Sequence, residues 1–171
     1  MGRRPPVWVL LTALIPAVAH ATILANWNLD EVVAHADLVV IGTVGESRVV
    51  QVGARVLTET EIQVERTLLG SSAATLVVSQ PGGRLGSVAT IVVGTVIYRP
   101  GARVLLATSL AREGRRYVIG FSLGAYYVFG HTLRQTIDVP LAEPGGVILA
   151  PPGERVTSLE AVEAAIARRR P

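Results

Sequence analysis

The sequence predicts a mainly β fold, a small antiparallel barrel or sandwich with a short helix near each end of the chain. Two observations predict this class. Val-rich runs bounded by glycine and proline recur as "LVVIGTV", "TLVVS", "TIVVG", "RVLLAT" and "YVIG", and β-branched runs between turn residues are typical of strands. Helical patterns occur only near the two ends, whereas an α/β fold alternates strands with helices. A chain of 171 residues suits one domain.

The first predicted elements are a short helix and a long hairpin. Residues 26–37 ("NWNLDEVVAHAD") predict the helix, because Asn28 can cap it and the acidic side chains of Asp30 and Glu31 follow in its first turn. The next two segments, "LVVIGTVGESRVVQV" and "ARVLTETEIQVERTLLG", predict two strands that pair through "QVGAR". The glycines inside the first of these strands indicate a bulge or a tight bend.

The rest of the chain predicts further strands and a closing helix. The turn-rich segment "PGGRLG" is predicted to be a loop. Thr157 and Glu160 form a capping-box pattern that begins a helix at "TSLEAVEAAIARRR". The further strands are predicted over residues 73–80, 87–96, 103–111, 117–129 and 131–142.

The N-terminus carries the pattern of a secretory signal peptide. Arg3 and Arg4 form a basic start, residues 7–19 form an apolar run, and Ala19-His20-Ala21 is a small-x-small cleavage site. We therefore expect a secreted or periplasmic protein whose mature chain begins at Thr22. The predicted divisions of the chain are a signal peptide at 1–21, a β-barrel domain at 22–150, and a C-terminal loop and helix at 151–171.

Two other interpretations of the N-terminal segment are less favoured. An uncleaved membrane anchor fits poorly, because the apolar run is shorter than the roughly 20 residues that span a bilayer and Pro16 interrupts it. Twin-arginine export fits poorly, because the residues around the two arginines depart from that signal. No second apolar stretch is long enough to cross a membrane without charges or turn residues, so we expect no membrane span after signal cleavage.

The composition excludes several classes of chemistry. The chain has no Cys, which excludes disulfides, thiolate zinc sites, iron–sulfur clusters and cysteine catalysis. It has no Lys, which excludes Schiff-base chemistry and a P-loop lysine. The formal net charge is +3, and removal of the two arginines of the signal peptide leaves 14 Arg against 13 acidic residues, or +1. We therefore expect no nucleic-acid partner.

The segment "GFSLG" at 120–124 matches the G-x-S-x-G pattern of a serine-hydrolase nucleophile elbow. That elbow requires a strand, a sharp turn at the serine and then a helix, but the aromatic and β-branched "AYYVF" follows here. The order of serine, acid and histidine also fails, because Asp138 comes after His131. We therefore expect Ser122 to lie in a kinked strand whose glycines mark close backbone approach. A small serine hydrolase using Ser122 is the less favoured alternative.

No metal or cofactor is expected from the remaining titratable residues. Glu31 and His35 lie four residues apart and share a helix face, but two ligands are too few for a zinc site, so a surface pair is the simpler interpretation.

Three carboxylates, Glu59, Glu61 and Glu65, fall on one face of the second long strand. Paired carboxylates can support glycosidic acid–base chemistry when one of them is desolvated. Their strict alternation with Val, Thr and Ile predicts instead that this face, which also carries Leu57, is mostly solvated.

The loops supply the predicted binding residues, because function often lies on loops of a rigid scaffold. "PGGRLG" lacks the strand-to-helix context of a phosphate-binding loop, so we expect a contact loop. The predicted contact residues are Gln80, Gly82, Gly83 and Arg84 from "QPGGRLG", and Arg99 from "YRPGA".

The order of the segments resembles a widespread set of secreted bacterial β-barrel proteins over about residues 29–130. The resemblance rests on "AHADLVVIGTV", "TETEIQVERTLLG", "PGGRLG", "RPGARVLLATS" and "YVIGFSLGAYYVF". Two positions depart from that pattern: Leu69 stands where Lys is usual, and Ala102 stands where Glu is usual. In this pattern "GFSLGAYYVF" corresponds to a strand, which favours the strand interpretation of Ser122.

More distantly, "ADLVVIGTV" and "EIQVERTLLG" are similar to the first strands of the netrin-like module, as in tissue inhibitors of metalloproteinases. That resemblance implies an OB-type barrel. In those inhibitors the amine and carbonyl of an N-terminal Cys bind the protease zinc. Here Thr22 would occupy that position, and the disulfides that hold the inhibitor's N-terminus are missing. The resemblance therefore implies Thr22 as a contact residue and a secreted metalloprotease as a partner.

The sequence as a whole predicts an exported, non-enzymatic protein-binding module on an OB-type or netrin-like barrel, without cofactors. Its partner is expected to be a protein such as a secreted protease, contacted by the N-terminal segment and the barrel-end loops. A structural envelope component is the main alternative.

Overall fold

The computed structural model describes residues 24–137, 139, 141–142, 148–150 and 153–169. The predicted signal peptide at 1–21 lies outside these residues. Within the described part of the chain, no helix is both long and apolar enough to cross a membrane.

The fold is mainly β, as the sequence predicts, with thirteen strands and two helices in the described residues. The helices are α1 (Leu29–His35) and α2 (Leu159–Arg168). The strands are β1 (Leu24–Ala25), β2 (Leu38–Val52), β3 (Arg55–Leu69), β4 (Thr75–Pro81), β5 (Gly83–Leu85), β6 (Val88–Thr90), β7 (Arg103–Leu110), β8 (Arg116–Val118), β9 (Ala125–Phe129), β10 (Thr132–Ile137), β11 (Leu141–Ala142), β12 (Ile148–Ala150) and β13 (Gly153–Ser158).

Eight strands form one large sheet in the order β13-β10-β9-β7-β2-β3-β4-β8, and β7 also pairs with β8. Most neighbours are antiparallel, but β4 and β8 are parallel where Ser79 pairs with Tyr117. Two small sheets accompany it: β1-β11-β12, in which β1 and β11 are parallel, and the hairpin β5-β6. The prediction of a mainly antiparallel sheet therefore holds for most strand pairs but not for β4 and β8. The sheet is mixed, because β8 returns to β4 in the same direction.

The longest hairpin joins β2 to β3 and confirms the predicted pairing. Its turn lies at residues 53–54, where Gly53 has a φ of +60°, a left-handed conformation that glycine adopts without steric cost. The register shifts at Gly42 and again across Gly45. Such shifts increase the local bend of a strand, so the bulges predicted from these two glycines are present.

Strand β2 separates two apolar cores. Val39 and Ile41 belong to the core that α1 and α2 cover, whereas Leu38 and Val40 belong to the core shared with β3, β4 and β7. All four side chains are at most 1% exposed. A strand that is buried on both faces has a continuous apolar run and not an alternating one, which explains why this strand begins with "LVVI".

Both helices begin with a side-chain cap. At α1 the predicted cap is confirmed: Asn28 Oδ1 accepts a hydrogen bond from the Glu31 N–H, and the Glu31 carboxylate accepts one from the Asn28 N–H. At α2 the predicted cap at Thr157 is wrong by one residue, because the helix begins at Leu159 and the residue before it is Ser158. The Ser158 hydroxyl caps this helix by accepting from the Ala161 N–H at 3.2 Å.

Three predicted segments have a different structure. The predicted loop at 81–86 contains β5, which pairs with β6. The predicted strand at 87–96 ends at Thr90, and the chain turns at Gly94, where φ is +90°. The predicted C-terminal loop, part of the 151–171 segment, contains β13, which pairs with β10 over six residues. In this last case a distant strand supplies the pairing partner, which local proline and glycine content does not indicate.

The predicted single strand at 117–129 is two strands, β8 and β9, separated by a turn at 119–124. Gly120 and Phe121 have φ values of +56° and +60°, and these left-handed conformations end an extended chain. The close approach predicted for the glycines is confirmed at Gly124, where a Cβ would lie 2.5 Å from the Ala107 carbonyl oxygen.

Replacement of Gly42 tests the close packing of β2 against β3. Gly42→Ala is expected to lower the free energy of unfolding by about 2 kcal/mol, because a Cβ there would lie 2.4 Å from the Gln63 carbonyl oxygen. Gly45→Ala is the matched control, because its closest contact would be 3.3 Å, to the Glu61 carbonyl oxygen. Urea unfolding of both variants measures the difference. Equal losses would contradict the close packing at Gly42.

Candidate functional site

The segment between β6 and β7, residues 91–102, exposes apolar side chains and borders two cavities. Its Ile91 and Ile97 side chains are 86% and 76% exposed, more than any other large apolar side chain in the described residues. Thr95 and Val96 line both cavities. The segment therefore forms a wall that the two cavities share.

Hydrogen bonds to two strands of the large sheet hold this segment in place. The Tyr127 hydroxyl, from β9, donates to the Ile97 carbonyl. The Gly101 N–H donates to the Val44 carbonyl at 2.8 Å, and the Val44 N–H donates to the Ala102 carbonyl at 2.9 Å. The shared wall is thereby attached to β2 and β9.

The larger cavity, which we term the groove, has a volume of about 340 Å³. It extends from Leu57, which is 1% exposed, to Phe121, which is 38% exposed. Most of the surface inside it is apolar, although half of the lining side chains also carry a polar group. Its main lining residues are Arg55, Leu57, Gln80, Pro81, Val96 and Phe121.

Three predicted contact residues lie at or beside the groove. Gln80 lines it, and Gly82 and Gly83 follow at the start of the β5-β6 hairpin. Their φ values are +98° and +134°. A Cβ on Gly82 would lie 2.8 Å from the Thr90 carbonyl oxygen, and a Cβ on Gly83 would lie 2.8 Å from Thr58 Oγ1. Glycine is therefore required here by packing, and the contact role of these residues remains a prediction.

The other predicted contact residues are not brought together with Gln80. Arg84 lies in β5 opposite Ala89 and is exposed. Arg99 lines the second cavity, and its guanidinium carbon lies 5.9 Å from the centre of the Tyr127 ring. Thr22 lies outside the described residues.

The described chain begins beside the 91–102 segment. Leu24 is 6% exposed and pairs with Leu141 through the parallel β1-β11 ladder. A Cβ on Gly94 would lie 3.7 Å from Leu24 Cδ1. Strand pairing and burial therefore fix the chain at Leu24. A disulfide cannot do this, because the sequence has no Cys.

The second cavity, which we term the cleft, has a volume of about 180 Å³. Aromatic, aliphatic and hydroxyl groups share its surface. Burial raises the pKa of the Tyr126 phenol above its ordinary value, although the Arg155 charge and a hydrogen bond with Gln135 act in the opposite direction, so the phenol is neutral at pH 7. The main lining residues of the cleft are Val96, Arg99, Val104, Ser122, Tyr126 and Tyr127.

Ser122 lies in the 119–124 turn and not in a strand. Its side chain is buried, and its Oγ has no hydrogen-bond partner in the described residues. Gln135 Nε2 donates to the carbonyls of Ser122 and Leu123 at 2.8 and 2.7 Å and fixes the turn. His131 Nδ1 contacts Glu160 at 2.8 Å. No base therefore activates this serine among its described contacts.

The face of β3 that carries Glu59 is not fully solvated, so this prediction is wrong for Leu57 and Glu59. Leu57 faces the groove, and Glu59 is 8% exposed. Its carboxylate accepts hydrogen bonds from Arg48 at 2.9 and 3.0 Å and lies 3.5 Å from Arg115 Nη2. The loop that follows β7 brings Arg115 over this face. The buried carboxylate is thus paired with two arginines, an arrangement that serves structure.

Asp37 connects the end of β7 to β8. Its carboxylate accepts hydrogen bonds from the Leu110 N–H at 2.8 Å and from the Arg116 guanidinium. Burial alone would raise the pKa of Asp37, but these hydrogen bonds and the Arg116 charge outweigh it and hold the pKa below its ordinary value. Because Arg116 begins β8, which contributes Tyr117 and Val118 to the groove, the ion pair positions one groove wall.

Comparison with known protein families, curated proteins and solved structures finds no match to this chain. The candidate site therefore rests on the geometry of its own residues.

Sequence reasoning missed the apolar residues that line or flank the groove. Val96, which lines it, and Ile91 lie in the Val- and Ile-rich run that predicts a strand at 87–96, and Ile97 follows that run directly. Phe121, which also lines the groove, falls within the predicted strand at 117–129. The one local signal was the number of glycine and proline residues that interrupt this run, since such residues mark turns.

Replacement of Asp37 tests the ion pair that positions β8. A carboxylate whose folded pKa is depressed stabilises the fold above its unfolded pKa, and this contribution is lost as the pH falls through the folded pKa. Because the Asp37 side chain is half exposed, solvent screening limits the effect, and Asp37→Asn should cost about 1 kcal/mol at pH 7. The variant and the parent should converge near about pH 2.

Urea unfolding at pH 7, pH 4 and pH 2 measures this convergence. Glu163→Gln is the control, because Glu163 pairs with Arg66 and both side chains are exposed, so its effect should stay within about 0.5 kcal/mol. If Asp37→Asn lowers the free energy of unfolding as much at pH 2 as at pH 7, the stabilising effect of Asp37 does not come from its ionised carboxylate.

Proposed function

We propose that this chain is an exported, non-enzymatic protein-binding module on an OB-type barrel, and that the groove is its contact surface. The observation that carries this proposal is an apolar groove of about 340 Å³ beside a segment whose Ile91 and Ile97 side chains are 86% and 76% exposed. Contiguous exposed apolar surface is typical of interaction sites. The partner is a protein outside the cytoplasm.

The strand pairings support an OB-type barrel. The order β7-β2-β3-β4-β8 returns to its start, because β8 also pairs with β7 through Ser109 and Tyr117. Each of these five strands thus has two neighbours within the set, and five is the strand number of the OB-type barrel. The apolar core that contains Val40, Ile62 and Leu106 lies among these strands, as the interior of a small barrel does.

Further exposed apolar residues belong to the segments that border the groove. Leu85 and Val93 are 39% and 50% exposed, and Phe121 is 38% exposed. They lie in three separate segments: the β5-β6 hairpin, the 91–102 segment and the 119–124 turn. Loops gathered on a rigid scaffold are a common form of binding surface, and Phe121 is the aromatic residue that would anchor a partner.

The surroundings of Ser122 support a non-enzymatic role. Nucleophilic catalysis requires a base within hydrogen-bond reach of the hydroxyl. Ser122 Oγ has no partner among the described residues, and the turn is followed by β9 and not by the helix of a nucleophile elbow.

The class of partner follows from the resemblance to the netrin-like module, which implies a secreted metalloprotease. Leu24 is buried and pairs with Leu141, which supports a fixed course of the chain from Leu24 onward. An N-terminal amine and carbonyl at Thr22 would then supply the zinc-binding groups.

Capture of a partner tests the groove. The chain from Thr22 to Pro171 is immobilised, and proteins of the organism's own envelope and secreted fractions are recovered and identified. Phe121→Asp is expected to reduce recovery of the specific partner by about tenfold, because a charge replaces an apolar anchor. Aspartate tolerates the left-handed backbone at this position.

Val156→Asp is the matched control for this experiment. Val156 is 61% exposed but lies in β13 and does not line the groove. The Val156→Asp variant should leave recovery of the specific partner unchanged. Equal recovery by Phe121→Asp and the parent would overturn the groove as the contact surface, and association with envelope fractions without a specific partner would favour a structural role.

One added glycine before Thr22 tests the metalloprotease interaction separately. The extension removes the terminal amine from its position and is expected to abolish inhibition of a captured zinc protease, measured as peptide hydrolysis. Unchanged inhibition would overturn zinc chelation by Thr22 while leaving the groove untouched.

A further inference from the structure

The cleft has features of a small-molecule site that the groove lacks. Its volume of about 180 Å³ is below the roughly 300 Å³ at which pockets for drug-sized ligands begin, so it suits only a small ligand. Val96, Val104 and Ala125 supply aliphatic surface, and Tyr126 and Tyr127 supply aromatic surface. The body of a ligand that fits is therefore apolar or aromatic.

One wall of the cleft carries a buried hydroxyl without a partner. Ser122 is 5% exposed, and its Oγ makes no hydrogen bond within the described residues. A buried polar group that lacks a partner costs free energy, and native proteins rarely retain one without a reason. Gln135 does not supply the missing partner, because its Nε2 donates to the Ser122 carbonyl and not to the hydroxyl. Ser122 thus places on the wall of the cleft a hydroxyl whose hydrogen-bonding capacity no described residue uses.

The cleft also carries a positive charge that no described carboxylate on its walls neutralises. Arg99 is exposed and forms no ion pair with a described carboxylate. Its guanidinium lies 5.9 Å from the centre of the Tyr127 ring, a position that cation–π attraction stabilises. No described Asp or Glu lines the cleft. A guanidinium in this position is suited to a carboxylate, which it can bind with two parallel hydrogen bonds.

We propose that the cleft binds a small apolar carboxylate that carries a hydroxyl group. The carboxylate pairs with Arg99, the apolar body packs against Tyr126 and Tyr127, and the hydroxyl pairs with Ser122 Oγ. This chemistry occurs both in free hydroxyaryl acids and in the C-terminal tyrosine of a peptide. The site does not depend on the proposed protein contact at the groove.

Calorimetric titration of the mature chain with 4-hydroxyphenylacetate tests this site. Two analogues isolate its parts: phenylacetate lacks the hydroxyl, and 4-hydroxyphenylacetamide lacks the charge. The parent chain is expected to bind 4-hydroxyphenylacetate saturably and at one site. Each analogue is expected to bind about tenfold more weakly, which corresponds to about 1.4 kcal/mol for each lost contact.

Two variants assign the contacts to residues. Arg99→Gln should lower the affinity for 4-hydroxyphenylacetate about tenfold and leave the affinity for 4-hydroxyphenylacetamide unchanged. Ser122→Ala should lower the affinity for 4-hydroxyphenylacetate and leave the affinity for phenylacetate unchanged. The matched controls are Arg84→Gln, an exposed arginine outside the cleft, and Ser79→Ala, a buried serine that lines the groove. Both controls should bind like the parent.

Thermal melts establish that each variant is folded. If Ser122→Ala does not melt cooperatively, Ser122→Cys replaces it, because it keeps the side-chain size and weakens the hydrogen bond. Absence of saturable binding by every probe, or equal affinities in Arg99→Gln and Arg84→Gln, would overturn the proposal.

A short peptide that ends in Tyr, with a free or an amidated C-terminus, distinguishes the two sources of this chemistry. Tighter binding of the free-acid peptide than of 4-hydroxyphenylacetate assigns the cleft to protein C-termini. Tighter binding of the small acid assigns it to a free metabolite. Either result supports the shared chemistry.

Discussion

Burial of β2 on both faces is the constraint on which the rest of the structure depends. From Leu38 to Gly42 this strand has no residue that faces solvent, so an apolar layer must cover each side. The two helices help to form one layer, and β3, β4 and β7 form the other. Each buried aliphatic side chain contributes about 1.5–3 kcal/mol, so the "LVVI" run supplies a large share of a marginal net stability. The two short terminal helices complete the burial of one face of β2 by packing against it.

Close contact between backbones is the second consequence of this arrangement. At Gly42 and Gly124 a side chain would meet a carbonyl oxygen of the neighbouring strand at 2.4 and 2.5 Å. The turn at 119–124 therefore serves packing, although its letters match a hydrolase motif. The 91–102 segment contributes no strand to the large sheet. It lies outside the sheet with Ile91 and Ile97 exposed, and both cavities adjoin it.

Arginine pairs hold the segments that surround these cavities. Arg116 joins Asp37 beside the groove, and Arg115 joins Arg48 at the buried Glu59. Both pairs anchor the loop between β7 and β8, which is held by no covalent cross-link in a chain without Cys. Arg99 differs from them, since it forms no ion pair with a described carboxylate and stacks on an aromatic ring. Arg115 and Arg116 therefore use their charge to hold the fold, whereas the charge of Arg99 is not used in this way by any described carboxylate.

The sequence by itself determined the mainly β class, both helices, the β2-β3 hairpin and its bulges, because hydrophobic period, caps and glycine positions are local properties. Tertiary structure decided the mixed sheet, the β13 pairing and the turn at Ser122, because these depend on which distant strand is adjacent. It also decided the site. Gln80 and Arg99 are predicted as loop contacts, yet only packing assigns them to separate cavities. The exposure of Phe121 at the groove and the burial of Glu59 likewise depend on segments far away in the chain.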